Sequence, residues 1–178
     1  MEFHEETTVP KARVAILIGT KGATRKAIER KSHTKIKISA DGAVTIGSNN
    51  ALELMTVKNI IEAVGRGFNP DLALELLKEE NSYELINIED YIGKNKALER
   101  VRGVIIGKEG KTRRVIEKLT GVHLSIYGKT IAIIGSADKI AIAHHAIEMF
   151  LTGAKHSTVY RFLEHKTKKT IKPEEAAK

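Results

Sequence analysis

The chain has 178 residues, and 30 Lys and Arg against 22 Asp and Glu give it a formal charge of +8 at pH 7. No apolar run approaches the roughly 20 residues of a membrane-spanning helix. Because the first residues also lack the basic-then-apolar order of a signal peptide, we expect a cytoplasmic protein without membrane association. The absence of Cys excludes disulfides, Cys-ligated zinc and thiol catalysis. Abundant Lys and Glu without Cys or Gln are typical of a thermophile.

The first copy of an internal repeat begins near the amino terminus and predicts the order strand, helix, helix, strand, strand, helix. Its elements are expected, in chain order, at Glu5–Val9, Pro10–Leu17, Ala23–Lys31, Lys35–Ile38, Ala43–Ile46 and Asn49–Val64. The two short strands alternate with period two, and Asp41-Gly42 joins them as a hairpin turn. The positions expected to be buried on the last helix are Leu52, Met55, Ile60 and Val64.

The second copy predicts the same order of elements. They are expected at Tyr83–Ile88, Ala97–Ile105, Lys111–Leu119, Val122–Ile126, Thr130–Ile134 and Lys139–Leu151. Residues Glu89–Lys96 are an insertion between the strand and the glycine motif of this copy. Each copy is followed by an added helix, capped by Asn69 with Pro70 in the first copy and by Ser157 in the second. We therefore predict domains at residues 5–80 and 81–165, and a flexible basic tail at 166–178.

The repeat itself is visible at a constant offset of 88 residues. Residues 18–29, IGTKGATRKAIE, align with residues 106–117, IGKEGKTRRVIE, and eleven of the 31 positions from 18 to 48 are identical between the copies. This period exceeds the 20–50 residues of stacked solenoid units. The sequence therefore predicts two small domains in tandem.

Most of the positive charge lies in the same two regions. Residues 11–38 hold nine basic side chains and one acid, a balance of +8, whereas residues 93–130 hold ten and three, a balance of +7. Residues 49–92 between them hold three basic and nine acidic side chains, a balance of −6. A generally solvated surface does not predict this alternation, so we expect each basic block to mark a surface for nucleic acid.

Each basic block contains the pattern Gly-x-x-Gly between two predicted helices. Glycine allows unusual backbone dihedrals and a close approach of a sugar–phosphate chain, and the following helix presents N–H groups and a positive dipole end to phosphates. The basic side chains expected to neutralise phosphates there are Lys21, Arg25, Lys26, Lys108, Lys111, Arg113 and Arg114. A single Gly-x-x-Gly pattern is weak evidence for a phosphate-binding loop, but two such patterns in the same predicted structural context are strong evidence.

With these motifs, both copies resemble type I KH domains, which bind single-stranded RNA. The resemblance implies an α+β fold, with helices on one face of a three-stranded antiparallel sheet in each domain, and a GXXG loop that clamps about four nucleotides. It also implies an aliphatic groove for bases, formed by Ala27, Ile28, Ile36 and Ile38 in the first copy and by Val115, Ile116, Leu124 and Ile126 in the second. The residues expected to contact RNA are Gly19, Thr20, Lys21, Gly22, Arg25, Lys26, Ile28, Ile36, Gly107, Lys108, Glu109, Gly110, Lys111, Arg113, Arg114, Ile116 and Leu124.

The tandem arrangement, the run 102–113 (RGVIIGKEGKTR) and the ending 153–164 (GAKHSTVYRFLE) are similar to the archaeal and eukaryotic KH factors of small-subunit ribosome assembly. This resemblance implies binding near the 3′ end of small-subunit rRNA, chiefly through the second KH domain. It implies as partners the dimethyladenosine transferase, the 3′-end nuclease and, in archaea, the alpha subunit of translation initiation factor two. Glu109 departs from the general KH pattern as an acid within the loop. The intact loop of the first copy leaves open whether that copy binds RNA or only packs.

Enzymatic interpretations find little support in the sequence. The P-loop pattern would need Gly at position 105, where this chain has Ile105, although Gly110-Lys111-Thr112 resembles its end. His144 and His145 are adjacent on a predicted helix but lack a second His four residues later, and the other five His are scattered, so we expect no metal site. We also expect no cofactor and no catalytic residue, and we expect a monomer. Two alternatives stay open, namely a KH protein of RNA decay or translational control and a KH-fold scaffold for protein interactions.

Overall fold

The chain divides into two compact units, Met1–Tyr83 and Glu84–Lys178, of which the computed structural model describes residues 2–92 and 98–175. Each unit has a three-stranded antiparallel sheet with a layer of helices against it. The predicted α+β class and the predicted order of elements are therefore confirmed. Within the described residues, no helix combines the length and the apolar character needed to cross a membrane.

The first unit begins with a strand and ends with a short added helix. Its strands and α-helices are β1 (Phe3–Thr8), α1 (Val14–Ile18), α2 (Ala23–Ser32), β2 (Lys35–Ile38), β3 (Ala43–Ser48), α3 (Ala51–Gly65) and α4 (Pro70–Ala73). Short 3-10 helices lie at Lys11–Arg13, Thr20–Gly22 and Leu74–Leu77. Asn69 caps α4 as predicted, because its side chain accepts a hydrogen bond from the backbone N–H of Asp71 at 2.9 Å.

Among the described residues, the second unit repeats this order with one further α-helix, Glu89–Ile92. Its elements are β4 (Asn81–Asn87), α5 (Glu89–Ile92), α6 (Leu98–Ile106), α7 (Lys111–Thr120), β5 (His123–Tyr127), β6 (Thr130–Ser136), α8 (Ala137–Leu151) and α9 (His156–Glu175), with a 3-10 helix at Lys108–Gly110. The first residues of β4 precede the division between the two units. Residues 93–96 of the predicted insertion and Ala97 of the predicted helix lie outside the described residues.

The last helix differs from the prediction at both ends. It begins at His156, so Ser157 lies in its first turn and is not its cap. The backbone of residues 166–175 continues the same helix, where the sequence predicts a flexible tail. The buried side chains of Val159 and Leu163 hold α9 in the hydrophobic core of the second unit, against α7 and α8.

The strand order is the same in the two sheets. It is β1-β3-β2 in the first unit and β4-β6-β5 in the second, so β3 and β6 are the central strands. In the first sheet Ile36 is paired with Ile46, and in the second Leu124 is paired with Ile133. Because β2 and β5 are edge strands, one side of each remains accessible to groups outside the sheet.

The cores follow the sequence repeat. Leu17, Ile28 and Ile46 are fully buried in the first unit, and the residues 88 positions later are fully buried in the second. Those later residues are Ile105, Ile116 and Ile134. The same apolar positions therefore hold the helices to the sheet in both copies.

Two of the four positions predicted to be buried on α3 are buried, and the other two are exposed. Ile60 and Val64 are fully buried, but Leu52 and Met55 are 74% and 63% exposed. The buried stripe instead begins at Leu54, so the first turn of the helix, which Asn50 caps, presents its apolar side chains to solvent. Periodicity alone cannot fix the rotation of a helix whose first turn carries apolar residues on more than one face.

A hydrogen-bonded cluster ties the start of the insertion to α8. The Tyr91 hydroxyl donates to Glu148 Oε1 at 2.9 Å and lies 3.2 Å from His144 Nε2. The other ring nitrogen of His144 contacts the carboxylate of Glu84. The Tyr91 hydroxyl holds the pKa of Glu148 below its usual range, since the hydrogen bond favours the ionised carboxylate.

The carboxyl ends of α2 and α7 give a direct test of backbone strain. His33 ends α2 in the left-handed region (φ 53°), where the equivalent residue after α7 is Gly121 (φ 77°). Because a Cβ is unfavourable in this conformation, we expect His33→Gly to raise the free energy of unfolding by about 0.5–1 kcal/mol. Urea denaturation measures this change. Gly121→His is the matched variant and should lower the free energy of unfolding, whereas a destabilised His33→Gly would contradict the assignment.

Candidate nucleic-acid interface

The two glycine loops have the same backbone conformation. In the first unit Gly19 has φ 73° and ψ 170° and Gly22 has φ 75°. In the second unit Gly107 has φ 74° and ψ 170° and Gly110 has φ 74°. In each loop the N–H of the second glycine donates to the carbonyl of the first at 3.1 Å. The loop is therefore a closed turn whose shape is set before any ligand arrives.

The two glycines of each loop are required for different reasons. A Cβ at Gly19 would lie 2.7 Å from the backbone nitrogen of Thr24, and one at Gly107 would lie 2.6 Å from that of Thr112. No side chain fits there, because the helix that follows approaches the loop closely. The second glycines have more space, but their positive φ disfavours any residue with a Cβ.

A non-glycine residue occupies the left-handed region in the middle of each loop. Lys21 has φ 53° and Glu109 has φ 52°. Such backbone strain is uncommon and occurs preferentially at ligand sites, where the surrounding structure enforces it. The third residue of this kind, among those described, is the helix-terminal His33.

The side chains predicted to neutralise phosphates surround the loops, but some of them already form ion pairs or hydrogen bonds within the protein. The side chains of Lys21, Lys26, Lys108 and Lys111 are exposed. Arg25 lies 3.9 Å from Glu29, and Arg113 lies 3.7 Å from Glu117, each as an i,i+4 ion pair. Arg114 donates from Nη1 to the backbone carbonyl of Glu109 at 2.7 Å and so stabilises the strained residue of its loop.

One arginine of the first basic block has a structural role. Arg13 donates from Nε to the carbonyl of Val64 at 2.8 Å and from Nη2 to the carbonyl of Phe68 at 2.9 Å. These carbonyls lie at and just beyond the carboxyl end of α3, where a cation is favourable. The charge that the first unit can offer to a polyanion is therefore smaller than the +8 of its block indicates.

A glutamate on the second helix links each loop to the sheet. Glu29 Oε1 accepts a hydrogen bond from the backbone N–H of Ile36, and Glu117 Oε1 accepts one from that of Leu124, both at 2.8 Å. Each carboxylate thus satisfies a donor of the edge strand while it orients the arginine four residues earlier. Glu29 and Glu117 were not predicted from the sequence as part of the site, although they are identical in the two copies, as are Thr24 and Thr112 beneath the first glycines.

The aliphatic groove residues fall into two groups. Ile28, Ile36, Ile116 and Leu124 are only 0–3% exposed, so they belong to the core and offer no surface to a base in this conformation. Their neighbours are partly exposed and line the surface between the second helix and the edge strand. These neighbours are Ala27, Ile38, Val115 and Ile126. In this structure the four buried residues hold the helix to the sheet, and their contact with bases stays a prediction.

The histidines form no metal centre in the part of the chain that the structure describes. No group of three or more His, Asp or Glu side chains there could hold a metal ion. His144 is instead held between two carboxylates and a tyrosine, as described above. The arrangement around the loops can bind an extended anionic chain, because it combines a preformed backbone turn, a helix amino terminus and exposed lysines.

The strand order and the paired glycine loops define a protein with two type I KH domains in tandem. Family models agree: residues 82–168 match the eukaryotic-type KH domain (KH-domain type I), and residues 4–62 match the KH domain. A KH domain-containing protein of Methanocaldococcus jannaschii is 46% identical over 165 residues, which cover 90% of this chain and 73% of that protein. This chain belongs to the family of KH-domain proteins that includes archaeal Dim2p and PNO1.

Two further relatives show the range of the family. The pre-rRNA-processing protein PNO1 of Chaetomium thermophilum is 31% identical over 120 residues, and the match covers 65% of this chain but only 45% of the fungal protein. A chain in the crystal structure of the a/eIF2alpha–aDim2p–rRNA complex from Pyrococcus horikoshii OT3 is 44% identical, with a TM-score of 0.90. That match covers 95% of this chain and 96% of the other.

Proposed function

We propose that this protein binds single-stranded RNA without catalysing a reaction. The observation that carries the proposal is the pair of loops with the same strained backbone, Gly19–Gly22 and Gly107–Gly110, each in a block of basic residues. A loop of this shape between two helices lets a sugar–phosphate chain approach the backbone, and nearby lysines neutralise its charge. The predicted contact residues at the loops are part of this proposal.

The second unit is proposed as the stronger RNA site. Lys108 and Lys111 stand at the positions that Thr20 and Ala23 occupy in the first unit. Because Glu109 replaces Lys21, the two loops have the same net charge, but the second places Lys108 and Lys111 at the backbone turn and at the start of α7. Cations at these positions favour phosphate binding, because each contact with a phosphate releases condensed counterions. The first unit keeps an intact loop and is proposed to make a weaker contact with RNA.

We infer a role in assembly of the small ribosomal subunit from the relatives. One is named as a pre-rRNA-processing protein, and the solved complex contains an archaeal relative with rRNA and the initiation-factor subunit a/eIF2alpha. The proposed ligand is the 3′ region of small-subunit rRNA. The proposed protein partners are the alpha subunit of translation initiation factor two and the 3′-end nuclease, with the protein acting as a monomer in the cytoplasm.

Crosslinking in cells tests this proposal. The chain would be crosslinked to RNA in the cells that produce it, purified under denaturing conditions, and the attached RNA sequenced. We expect enrichment of reads at the 3′ end of small-subunit rRNA, and a variant with Lys108→Asp and Glu109→Asp, two exposed positions whose change should leave the fold intact, controls for loop-independent recovery. Enrichment of mRNA or decay intermediates would contradict the role in assembly, and recovery equal to that of the variant would contradict RNA binding at the loop.

A further inference from the structure

A cavity of about 510 Å³ opens beside the glycine loop of the second unit, away from the aliphatic groove. Its walls come from α6, the loop, the first turn of α7 and the start of α9, whereas the groove lies between α7 and β5. The volume falls within the range of about 300–1,000 Å³ that is typical of small-ligand sites. The side chains that determine its chemistry are Arg100, Lys108, Lys111, His156 and Tyr160.

The aromatic wall of this cavity is connected to the glycine loop. The Tyr160 hydroxyl lies 3.5 Å from the hydroxyl of Thr112, which is buried beneath Gly107. His156 and Tyr160 are one helical turn apart, with ring centroids 6.0 Å apart in an edge-to-face arrangement. Two aromatic rings and three cations therefore converge on one cavity, and its described lining contains no carboxylate.

The first unit does not offer the same chemistry on the equivalent face. The residues that correspond to Arg100, Lys108 and Lys111 are Ala12, Thr20 and Ala23. The added helix α4 packs against α3 rather than against α2, so no aromatic pair covers this face as α9 does in the second unit. The duplicated fold does not need these charges, which indicates that they serve a ligand specific to the second unit.

We propose that this cavity is an additional RNA subsite that takes one nucleotide of the bound strand where the strand leaves the glycine loop. Arg100, Lys108 and Lys111 would bind its phosphate, and its base would stack on His156 or Tyr160, since base–aromatic stacking and phosphate neutralisation together favour single strands. This proposal rests on the proposed RNA-binding function. It extends the contact of the second unit beyond the four nucleotides that a KH loop clamps.

Binding of a tetranucleotide and an octanucleotide separates the subsite from the loop. The tetranucleotide fills the loop and groove, whereas the octanucleotide also reaches the cavity. We expect Arg100→Glu to lower the affinity for the octanucleotide about tenfold, which corresponds to about 1.4 kcal/mol. The control is Lys139→Glu, which makes the same charge change beside Gly121 at the far end of α7. We expect Arg100→Glu to lower the affinity for the tetranucleotide no more than this control does.

The outcomes distinguish a failure of the proposed subsite from a failure of the proposed RNA-binding function. Suppose that the wild type binds both RNAs, and that Arg100→Glu and Lys139→Glu lower the affinity for the octanucleotide equally. The proposed subsite is then wrong, whereas the proposed RNA-binding function is still supported. If the wild type binds neither RNA, the proposed function itself fails. Arg100 is exposed, so the fold of Arg100→Glu can be verified by its unchanged thermal midpoint.

Photocrosslinking of the wild type gives a readout that requires no variant. An octanucleotide with a single 4-thiouridine is moved through successive positions, and the crosslinked peptide is identified by mass spectrometry. We expect one terminal position to crosslink to the peptide that contains His156 and Tyr160. Crosslinks confined to peptides of α7 and β5 at every position would overturn the subsite.

Discussion

Replacement of Lys108 and Glu109 by aspartate should lower the affinity for single-stranded RNA at least tenfold and leave the thermal midpoint nearly unchanged. Both side chains are exposed, so little of the fold depends on them. The double change places an additional carboxylate where a phosphate is expected and removes an ammonium, and a tenfold loss corresponds to about 1.4 kcal/mol. Aspartate is tolerated in the left-handed conformation of residue 109, so the loop should keep its shape.

Fluorescence anisotropy with a labelled RNA measures the affinity, and a thermal melt of the same sample measures the midpoint. Lys139→Asp is the control, because it makes the same net charge change at the far end of α7. An affinity that is unaltered in the Lys108→Asp, Glu109→Asp variant would contradict the assignment of the loop as a phosphate clamp. A large fall in the thermal midpoint would mean that the variant tests folding rather than binding.

Alanine at the two glycines of the second loop should have clearly different effects on stability. Gly107→Ala should lower the free energy of unfolding by about 3 kcal/mol, because φ 74° with ψ 170° is a region that glycine alone occupies readily. The new Cβ would also lie 2.6 Å from the backbone nitrogen of Thr112, which cannot move without disturbing the start of α7. Gly110→Ala should cost only about 1 kcal/mol, since its nearest neighbour is the flexible end of Arg114 at 3.4 Å.

Urea denaturation monitored by circular dichroism measures both variants. Gly19→Ala and Gly22→Ala form a matched pair in the first unit and should rank in the same order, since the Cβ at Gly19 would lie 2.7 Å from the backbone nitrogen of Thr24. Equal stabilities for Gly107→Ala and Gly110→Ala would show that the close approach of Thr112 does not constrain the loop. RNA affinity should fall in both variants, because both alter the backbone that the phosphates approach.

The repeat made most of the fold predictable from the sequence. An offset of 88 residues places Leu17 with Ile105 and Ile28 with Ile116, and these pairs are fully buried at equivalent places. Local patterns also indicated the hairpin at Asp41-Gly42 and the cap at Asn69, because turns and caps depend on a few neighbouring residues. The glycines of the loops were predictable for the same reason.

Features that depend on contacts distant in the sequence were not predictable. The exposure of Leu52 and Met55 depends on how α3 is rotated against the sheet, and the hydrophobic pattern does not determine this rotation. The burial of Ile116 beneath the groove depends on how closely α7 approaches the sheet. Tyr160 reaches the second loop only because α9 folds back across α7, a contact between residues 48 positions apart.

The salt dependence of RNA affinity tests the central claim, that the glycine loops bind the phosphates of a single strand. The affinity of the wild type and of the Lys108→Asp, Glu109→Asp variant for one single-stranded RNA would be measured across a series of salt concentrations. For the wild type we predict a log–log slope of about −0.7 for each phosphate contact, and a shallower slope for the variant. A flat response of the wild type would contradict phosphate binding and favour a scaffold for protein interactions.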